Sequence, residues 1–192
     1  MKTRGLVITV VAAGLVVAGA GVTAIVLSNP GSEASRSQAT ASSAPEPSSD
    51  VTTRDTGASL LYMIEEEKLA HDVYLALAQT WGANIFRNIS RSETTHQDLL
   101  VPLLESRTIV DPRAAEAGAF TDPELQTLYT ELVAQGRSSY DEAIQVGLII
   151  EKKDIADLGH ALDREDEADV IAAYQRLLAG SQNHLTAFER LA

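Results

Sequence analysis

Acidic and imidazole side chains interrupt otherwise apolar helical stripes, and this pattern constrains the fold more than any other feature of the sequence. Between residues 59 and 192, apolar residues recur at spacings of three and four, which predicts amphipathic helices. Alternating runs rich in Val, Ile and Thr, which would predict strands, are absent from this part of the sequence. Each predicted helix must bury its stripe against its neighbours, so the sequence predicts an all-α domain.

Start and stop signals divide the region into four long helices and one short one. The long helices are predicted over about 59–80, 84–106, 139–158 and 166–192. The short helix is predicted from Thr121, which caps together with Glu124, to Gly136. The stretch 107–137 then forms one long connection between the second and third long helices. Short links on either side of a long crossover are typical of a four-helix bundle.

Five residues with metal-binding side chains lie near the middle of these stripes. They are Glu67 on the first long helix, Glu93 and His96 on the second, Glu151 on the third and His184 on the fourth. Three carboxylates facing one interior repel one another unless protonation, a cation or a metal neutralises them. No Lys or Arg lies on the stripes to do so. The pattern therefore predicts a shared metal site.

The types of ligand narrow the choice of metal. The chain contains no Cys, which excludes disulfides, thiolate zinc sites and iron–sulfur clusters. Oxygen and imidazole ligands suit iron, manganese or zinc. Glu93 and His96 are three residues apart on one helix face, close enough to bind a common ion. Carboxylates from facing helices could bridge two ions about 3.5–4 Å apart.

Several neighbouring residues leave alternatives open. Glu66 is an alternative to Glu67, and the run from Glu65 to Glu67 could instead be a solvated face. Asp154 follows the glutamate of the third long helix by one turn and could be a further ligand or could support one. Tyr74 could be an ordinary core residue or an oxidisable hydrogen-bonding neighbour of the site.

The N-terminal region differs from the rest of the chain in composition. Two basic residues precede an uncharged apolar run over 6–27. As a helix this run would span about 33 Å, enough to cross a bilayer core. Residues 1–28 are therefore expected to be a signal-anchor helix, favoured here, or a cleaved signal peptide, and the remainder is expected to be exported. Residues 29–58, rich in Ser, Ala, Thr and Pro, predict a flexible linker before the helical domain at 59–192.

The net charge of −12, from 15 basic and 27 acidic residues, belongs entirely to the helical region. Residues 1–59 hold four basic and four acidic groups, which leaves 11 basic and 23 acidic groups in 60–192. Phosphate-backbone binding needs clustered Lys and Arg, so this charge argues against a nucleic-acid partner.

Motifs on two predicted helices resemble the ferritin-like superfamily, in particular ferritins and rubrerythrins. They are Glu67-x-x-Ala70-x-x-x-Tyr74 and Phe86-x-x-Ile89-x-x-x-Glu93-x-x-His96. More closely, segments 65–70, 88–96 and 180–185 are similar to a bacterial family known as domain of unknown function 2202. This similarity covers essentially all of 60–192.

The resemblance implies a ferritin-like four-helix bundle with a dinuclear metal centre, commonly iron, and oxidative chemistry with dioxygen or peroxide. The usual fourth helix carries its own Glu-x-x-His, but here Ser181 stands three residues before His184. The remaining set of three Glu and two His is similar to that of manganese catalases. The expected cofactors are therefore two transition-metal ions, with iron favoured and manganese next.

The expected function is that of an exported dinuclear-metal protein that oxidises ferrous iron or dismutates or reduces peroxide. In this hypothesis Glu67 and Glu93 bind one side of the centre, Glu151 and His184 bind the other, and His96 completes it. The expected partners are metal ions and small oxidants, together with the membrane if the N-terminal segment is retained. The alternative is a non-enzymatic module that binds metal structurally or presents an acidic surface to a partner.

Overall fold

The computed structural model describes residues 49–192, with side chains from Thr56 onward. In this part of the chain there are five α-helices and no strand, so the all-helical prediction is confirmed. The helices are α1 (Ser49–Trp81), α2 (Asn84–Ser106), α3 (Pro123–Gly136), α4 (Tyr140–Leu162) and α5 (Ala168–Glu189). The predicted membrane segment 1–28 lies outside the described residues. No helix within 49–192 is both long enough and apolar enough to cross a membrane.

Two helix pairs enclose a common interior. α1 packs along α2 and α4 packs along α5, while α2 also contacts α5 and α1 also contacts α4. The short helix α3 lies against α1 and α4. It belongs to the long connection that carries the chain from the first pair to the second, as the sequence predicts.

Two apolar clusters form the core, and each long helix contributes to both. One cluster contains Val73, Phe86, Ile144 and Phe188, and the other contains Ile64, Leu100, Leu158 and Leu177. Along α1 and α5 the chain passes from the second cluster to the first, whereas along α2 and α4 it passes from the first to the second. α1 therefore runs opposite to α2, and α4 opposite to α5. The residues between the two clusters on all four helices form a polar layer.

The first helix begins earlier than the sequence predicts. α1 starts at Ser49 rather than near Ser59, so residues 49–58 of the predicted linker are helical. The rest of that linker, 29–48, lies outside the described residues. Residues 49–58 have no apolar periodicity that would predict a helix, and the described end of this segment makes a contact distant in sequence. The Thr56 hydroxyl donates a hydrogen bond to Glu165 at 3.1 Å.

One predicted helix cap is confirmed and the other is wrong. The Ser139 hydroxyl accepts the backbone N–H of Glu142 at 3.1 Å and so caps α4 as expected. α3 is capped by Asp122 rather than by Thr121, because the Asp122 carboxylate accepts two backbone N–H groups of the first turn at 2.8 and 3.0 Å. Pro123 fits the first helical position because its missing N–H would have no partner there.

Gly147 of α4 packs directly against Phe188 of α5. A Cβ atom at this position would lie 2.4 Å from Cε1 of Phe188. Gly147→Ala should lower the free energy of unfolding by about 1–2 kcal/mol, because overpacking outweighs the gain in helix propensity. Gly159→Ala, where a Cβ would have no such neighbour within 4 Å, should instead raise it by up to about 1 kcal/mol. Urea unfolding of both variants tests this, and stabilisation by Gly147→Ala would contradict the packing.

Candidate metal centre

The structure brings together all five candidate metal-binding side chains that the sequence singles out. They are Glu67 of α1, Glu93 and His96 of α2, Glu151 of α4 and His184 of α5. Each has an exposed fraction between 1% and 9% and lies in the polar layer between the two apolar clusters. The inward stripes thus converge on one buried site.

The five residues form two groups of three that share Glu93. Glu67, Glu93 and His96 each place one ligand atom within 4.8 Å of the other two, and so do Glu93, Glu151 and His184. Oε2 of Glu93 lies 2.8 Å from Nδ1 of His96. Its other oxygen, Oε1, lies 3.0 Å from Nδ1 of His184. Each oxygen of one carboxylate therefore faces a different group.

The two groups are arranged alike around Glu93. Nδ1 of His96 lies 3.1 Å from Oε2 of Glu67, and Nδ1 of His184 lies 3.5 Å from Oε2 of Glu151. The two imidazole rings stack, with centroids 5.4 Å apart and planes inclined by 23°. Nδ1 of each imidazole thus lies between the shared carboxylate and a second carboxylate of its own group.

Several buried atoms of the site have no hydrogen-bond partner among the described residues. They are Oε1 of Glu67, Oε1 of Glu93 and Nδ1 of His184. The last two are 3.0 Å apart but are not aligned to form a hydrogen bond. Unsatisfied buried polar groups cost about 1–3 kcal/mol each, and a bound cation would satisfy several at once. Three carboxylates and two imidazoles with free, converging atoms could hold metal ions.

Burial and the mutual charges shift the pKa values of the site. Desolvation raises the pKa of Glu67 and of Glu151 above the ordinary range. Burial also opposes ionisation of Glu93, but the two histidines outweigh it and lower its pKa to about 2. Burial alone would lower the histidine pKa values, yet the facing carboxylates raise that of His96 to about 11 and that of His184 to about 9. Without a metal, protons on the imidazoles therefore compensate the buried acidic charge.

Comparison with known proteins shows the family to which the chain belongs. Residues 56–192 match the family model described as uncharacterized protein domain (DUF2202). The chain belongs to this family. It is 44% identical over 133 residues to uncharacterized protein MJ0754 of Methanocaldococcus jannaschii, a match that covers 69% of this chain and 72% of that protein. The crystal structure of hypothetical protein MJ0754 from Methanococcus jannaschii matches with a TM-score of 0.71 and 41% identity, over 79% of this chain and 85% of that one.

The resemblance of the sequence to domain of unknown function 2202 is thereby confirmed. The matched segment begins at residue 56, close to the expected domain boundary at 59. It contains α2 to α5 and most of α1, and with them all five side chains of the site.

Tyr74 of the DUF2202 domain is both a core residue and a hydrogen-bonding neighbour of the site. Its ring packs against Phe86 and Phe188 at centroid distances of 6.3 and 5.5 Å. Its hydroxyl donates to Oε1 of Glu151 at 2.5 Å. This hydrogen bond holds one oxygen of Glu151 and leaves the other facing His184.

The three glutamates at 65–67 do not form a solvated face, because each is at most 4% exposed. Glu65 accepts the backbone N–H groups of the two residues that precede α3, at 2.6 and 2.9 Å. Glu66 pairs with Lys153 of α4 at 2.7 Å, and Glu67 belongs to one of the two groups that share Glu93. Of the three, only the glutamate on the predicted stripe lies among the candidate metal-binding groups, while the other two are buried by partners that no local pattern indicates.

Gly180 of α5 is a site residue that the sequence pattern did not reveal. A Cβ atom there would lie 2.3 Å from Nε2 of His96. The helix continues through this position, so the glycine makes room for the imidazole ring rather than ending the helix. A glycine inside a helix close to a histidine of the site was the available signal, since Gly costs about 1 kcal/mol relative to Ala there.

Gly180→Ala is expected to weaken metal binding about tenfold or more, because the new methyl group must displace the His96 ring. Calorimetric titration with Mn²⁺ measures the effect. Gly159→Ala serves as the control, since it adds the same methyl group to a helix where a Cβ has no such neighbour within 4 Å. Equal affinities in wild type and Gly180→Ala would show that the ring position does not matter for binding.

Proposed function

We propose that the DUF2202 domain of this chain is a ferritin-like bundle that holds two transition-metal ions and uses them to oxidise ferrous iron or to dismutate or reduce peroxide. The observation that carries the proposal is the position of Glu93 between two groups of ligands. A carboxylate with one oxygen toward each group suits a bridge between two ions about 3.5–4 Å apart. Iron, followed by manganese, fits this set of oxygen and imidazole ligands.

The helix directions support the ferritin-like part of the proposal. α1 and α5 run one way through the core, and α2 and α4 run the other way. Since α2 and α4 run in the same direction, the chain between them must return along the length of the core. It does so over residues 107–139, which include α3. One long crossover between two helical hairpins is typical of ferritin-like folds.

Each residue of the site has a specific role in this proposal. Glu67 and His96 would hold one ion, Glu151 and His184 the other, and Glu93 both. When bound, such a pair would supply electron transfer and Lewis-acid chemistry to ferrous iron, dioxygen or peroxide. The chain's own contribution is to fix the ligands and keep the site dry. Tyr74 orients Glu151, and the aromatic cluster around Tyr74 covers one side of the polar layer.

The experiment compares the purified full chain with His96→Ala. Wild type should contain two iron or manganese ions per chain and should oxidise ferrous iron or consume peroxide. His96→Ala should lose metal and at least tenfold in that activity, whereas His160→Ala, which changes an exposed histidine of α4, should lose neither. A wild-type chain that binds no metal would overturn the proposal. Bound metal without either activity would favour the non-enzymatic alternative.

The proposed location outside the cytoplasm rests on the sequence of the first 28 residues alone. The apolar run would either anchor the domain to the membrane or direct its secretion before cleavage. Protease digestion of intact cells tests this, because an exported and anchored domain would be degraded while cytoplasmic proteins survive.

A further inference from the structure

Asp154 of α4 is a fourth buried carboxylate in the polar layer, outside the two groups that share Glu93. The residue is 6% exposed. Its Oδ2 accepts a hydrogen bond from the hydroxyl of Ser181 on α5. Its Oδ1 is buried and has no hydrogen-bond partner in the part of the chain that the structure describes. One oxygen is therefore held in place and the other is left free.

Asp154 and Ser181 lie on the helix faces of α4 and α5 that carry residues of the candidate metal centre. Asp154 lies three residues after Glu151 on α4, and Ser181 lies three residues before His184 on α5, so each pair shares a helix face. Burial, and next to it the charge of Glu67, raises the pKa of Asp154 well above its usual range. Ser181 adjoins Gly180, where a Cβ atom would lie 2.3 Å from Nε2 of His96, so Ser181 holds Asp154 on the side of the polar layer that contains His96.

No basic side chain among the described residues compensates Asp154. Lys153 is adjacent in sequence, but its ammonium group bonds Glu66, Asp157 and Tyr62 on another face of α4. A buried carboxylate is costly without a compensating charge or a full set of hydrogen bonds. The Ser181 hydroxyl provides a hydrogen bond to Oδ2 alone, so Oδ1 still lacks a compensating partner among the described residues.

We propose that Asp154 is a further metal ligand, which binds through Oδ1 the ion held by Glu67, Glu93 and His96. Ser181 is the positioning residue that holds Oδ2. The inference rests on the proposed dinuclear centre and adds a difference between its two ions. One ion would have four protein ligands, and the ion at Glu93, Glu151 and His184 would have three. Open coordination positions are where reactants bind at metal centres, so ferrous iron or peroxide would react at the second ion.

The test titrates the full chain with Mn²⁺ and compares Asp154→Asn with Asp157→Asn. Both changes replace a carboxylate of α4 by an amide, but Asp157 is paired with Lys153 away from the metal-binding groups. Wild type should bind two ions. Asp154→Asn should weaken one of them at least tenfold and leave the other nearly unchanged, while Asp157→Asn should leave both unchanged. Ser181→Ala should weaken the same ion as Asp154→Asn, because it frees the other oxygen.

Thermal unfolding of the metal-free variants separates ligand loss from misfolding. Asp154→Asn removes a buried ionisable group while its amide oxygen can still accept from Ser181, so its Tm without metal should not fall below that of wild type. Two ions at wild-type affinity in Asp154→Asn, or equal weakening of both, would overturn the assignment. A wild-type chain that binds no Mn²⁺ would instead overturn the dinuclear centre itself.

Discussion

Glu93→Gln is expected to remove both metal ions, whereas Glu67→Gln and Glu151→Gln should each remove one. Glu93 belongs to both groups of ligands, and each of its oxygens faces a different imidazole. A glutamine has one amide oxygen and no charge, so it cannot bridge two cations. Metal content per chain after dialysis, measured by mass spectrometry, gives the stoichiometry directly.

Two controls accompany the Glu93→Gln measurement. Asp98→Asn neutralises an exposed carboxylate on the same helix and should keep both ions. Circular dichroism should show the same helix content in all variants. If Glu93→Gln keeps two ions while its helices are intact, Glu93 does not bridge them.

The second large effect is the stabilisation of the domain by metal. The site draws ligands from four helices, so the unfolded chain has no preformed site and metal binds the folded state selectively. At a free metal concentration a thousand times the Kd, binding should raise the free energy of unfolding by about 4 kcal/mol. For a domain of this size that corresponds to a rise in Tm on the order of 10 °C. Scanning calorimetry with and without metal measures this rise in Tm. A chelator should reverse the rise, and Glu93→Gln should abolish it.

Two quantities should depend on pH in opposite directions. The stability of the metal-free protein should fall as pH rises, whereas the additional stability gained from metal should increase. In the metal-free protein the carboxylates raise the pKa of His184 from 6.5 to about 9. The stability that this provides is fully present below pH 6.5 and is lost as the pH rises through about 9. A metal ligand must be a neutral imidazole, so binding displaces these protons and tightens as pH rises. The gain in Tm from metal should therefore be larger at pH 8.5 than at pH 6. An equal gain at both values would mean that the histidines do not exchange protons for metal.

The sequence was sufficient to predict an all-helical domain and to select five side chains that the structure brings together, because both follow from one periodicity. A carboxylate or imidazole on an apolar helical stripe must point inward, wherever the neighbouring helices lie. α2 accordingly begins and ends at the predicted residues. The link between Ser181 and Asp154 was beyond this reasoning, because it joins two helices through side chains 27 residues apart.

Other features depend on tertiary contacts that no local pattern encodes. In the part of α1 that precedes the predicted start, Thr56 bonds Glu165 in the loop before α5. Glu65 is buried because it binds the two residues that precede α3, and Glu66 is buried because Lys153 reaches it from α4. A run of three glutamates looks the same in a sequence whether it faces water or three different partners. Only the packing of the helices distinguishes these cases.

The most direct test is an anomalous difference map from crystals of the protein grown with Mn²⁺. The expected result is two peaks about 3.5–4 Å apart, with Glu93 between them, Glu67 and His96 beside one peak, and Glu151 and His184 beside the other. A map without a peak at these five residues, at Mn²⁺ concentrations that saturate binding in solution, would contradict the dinuclear centre.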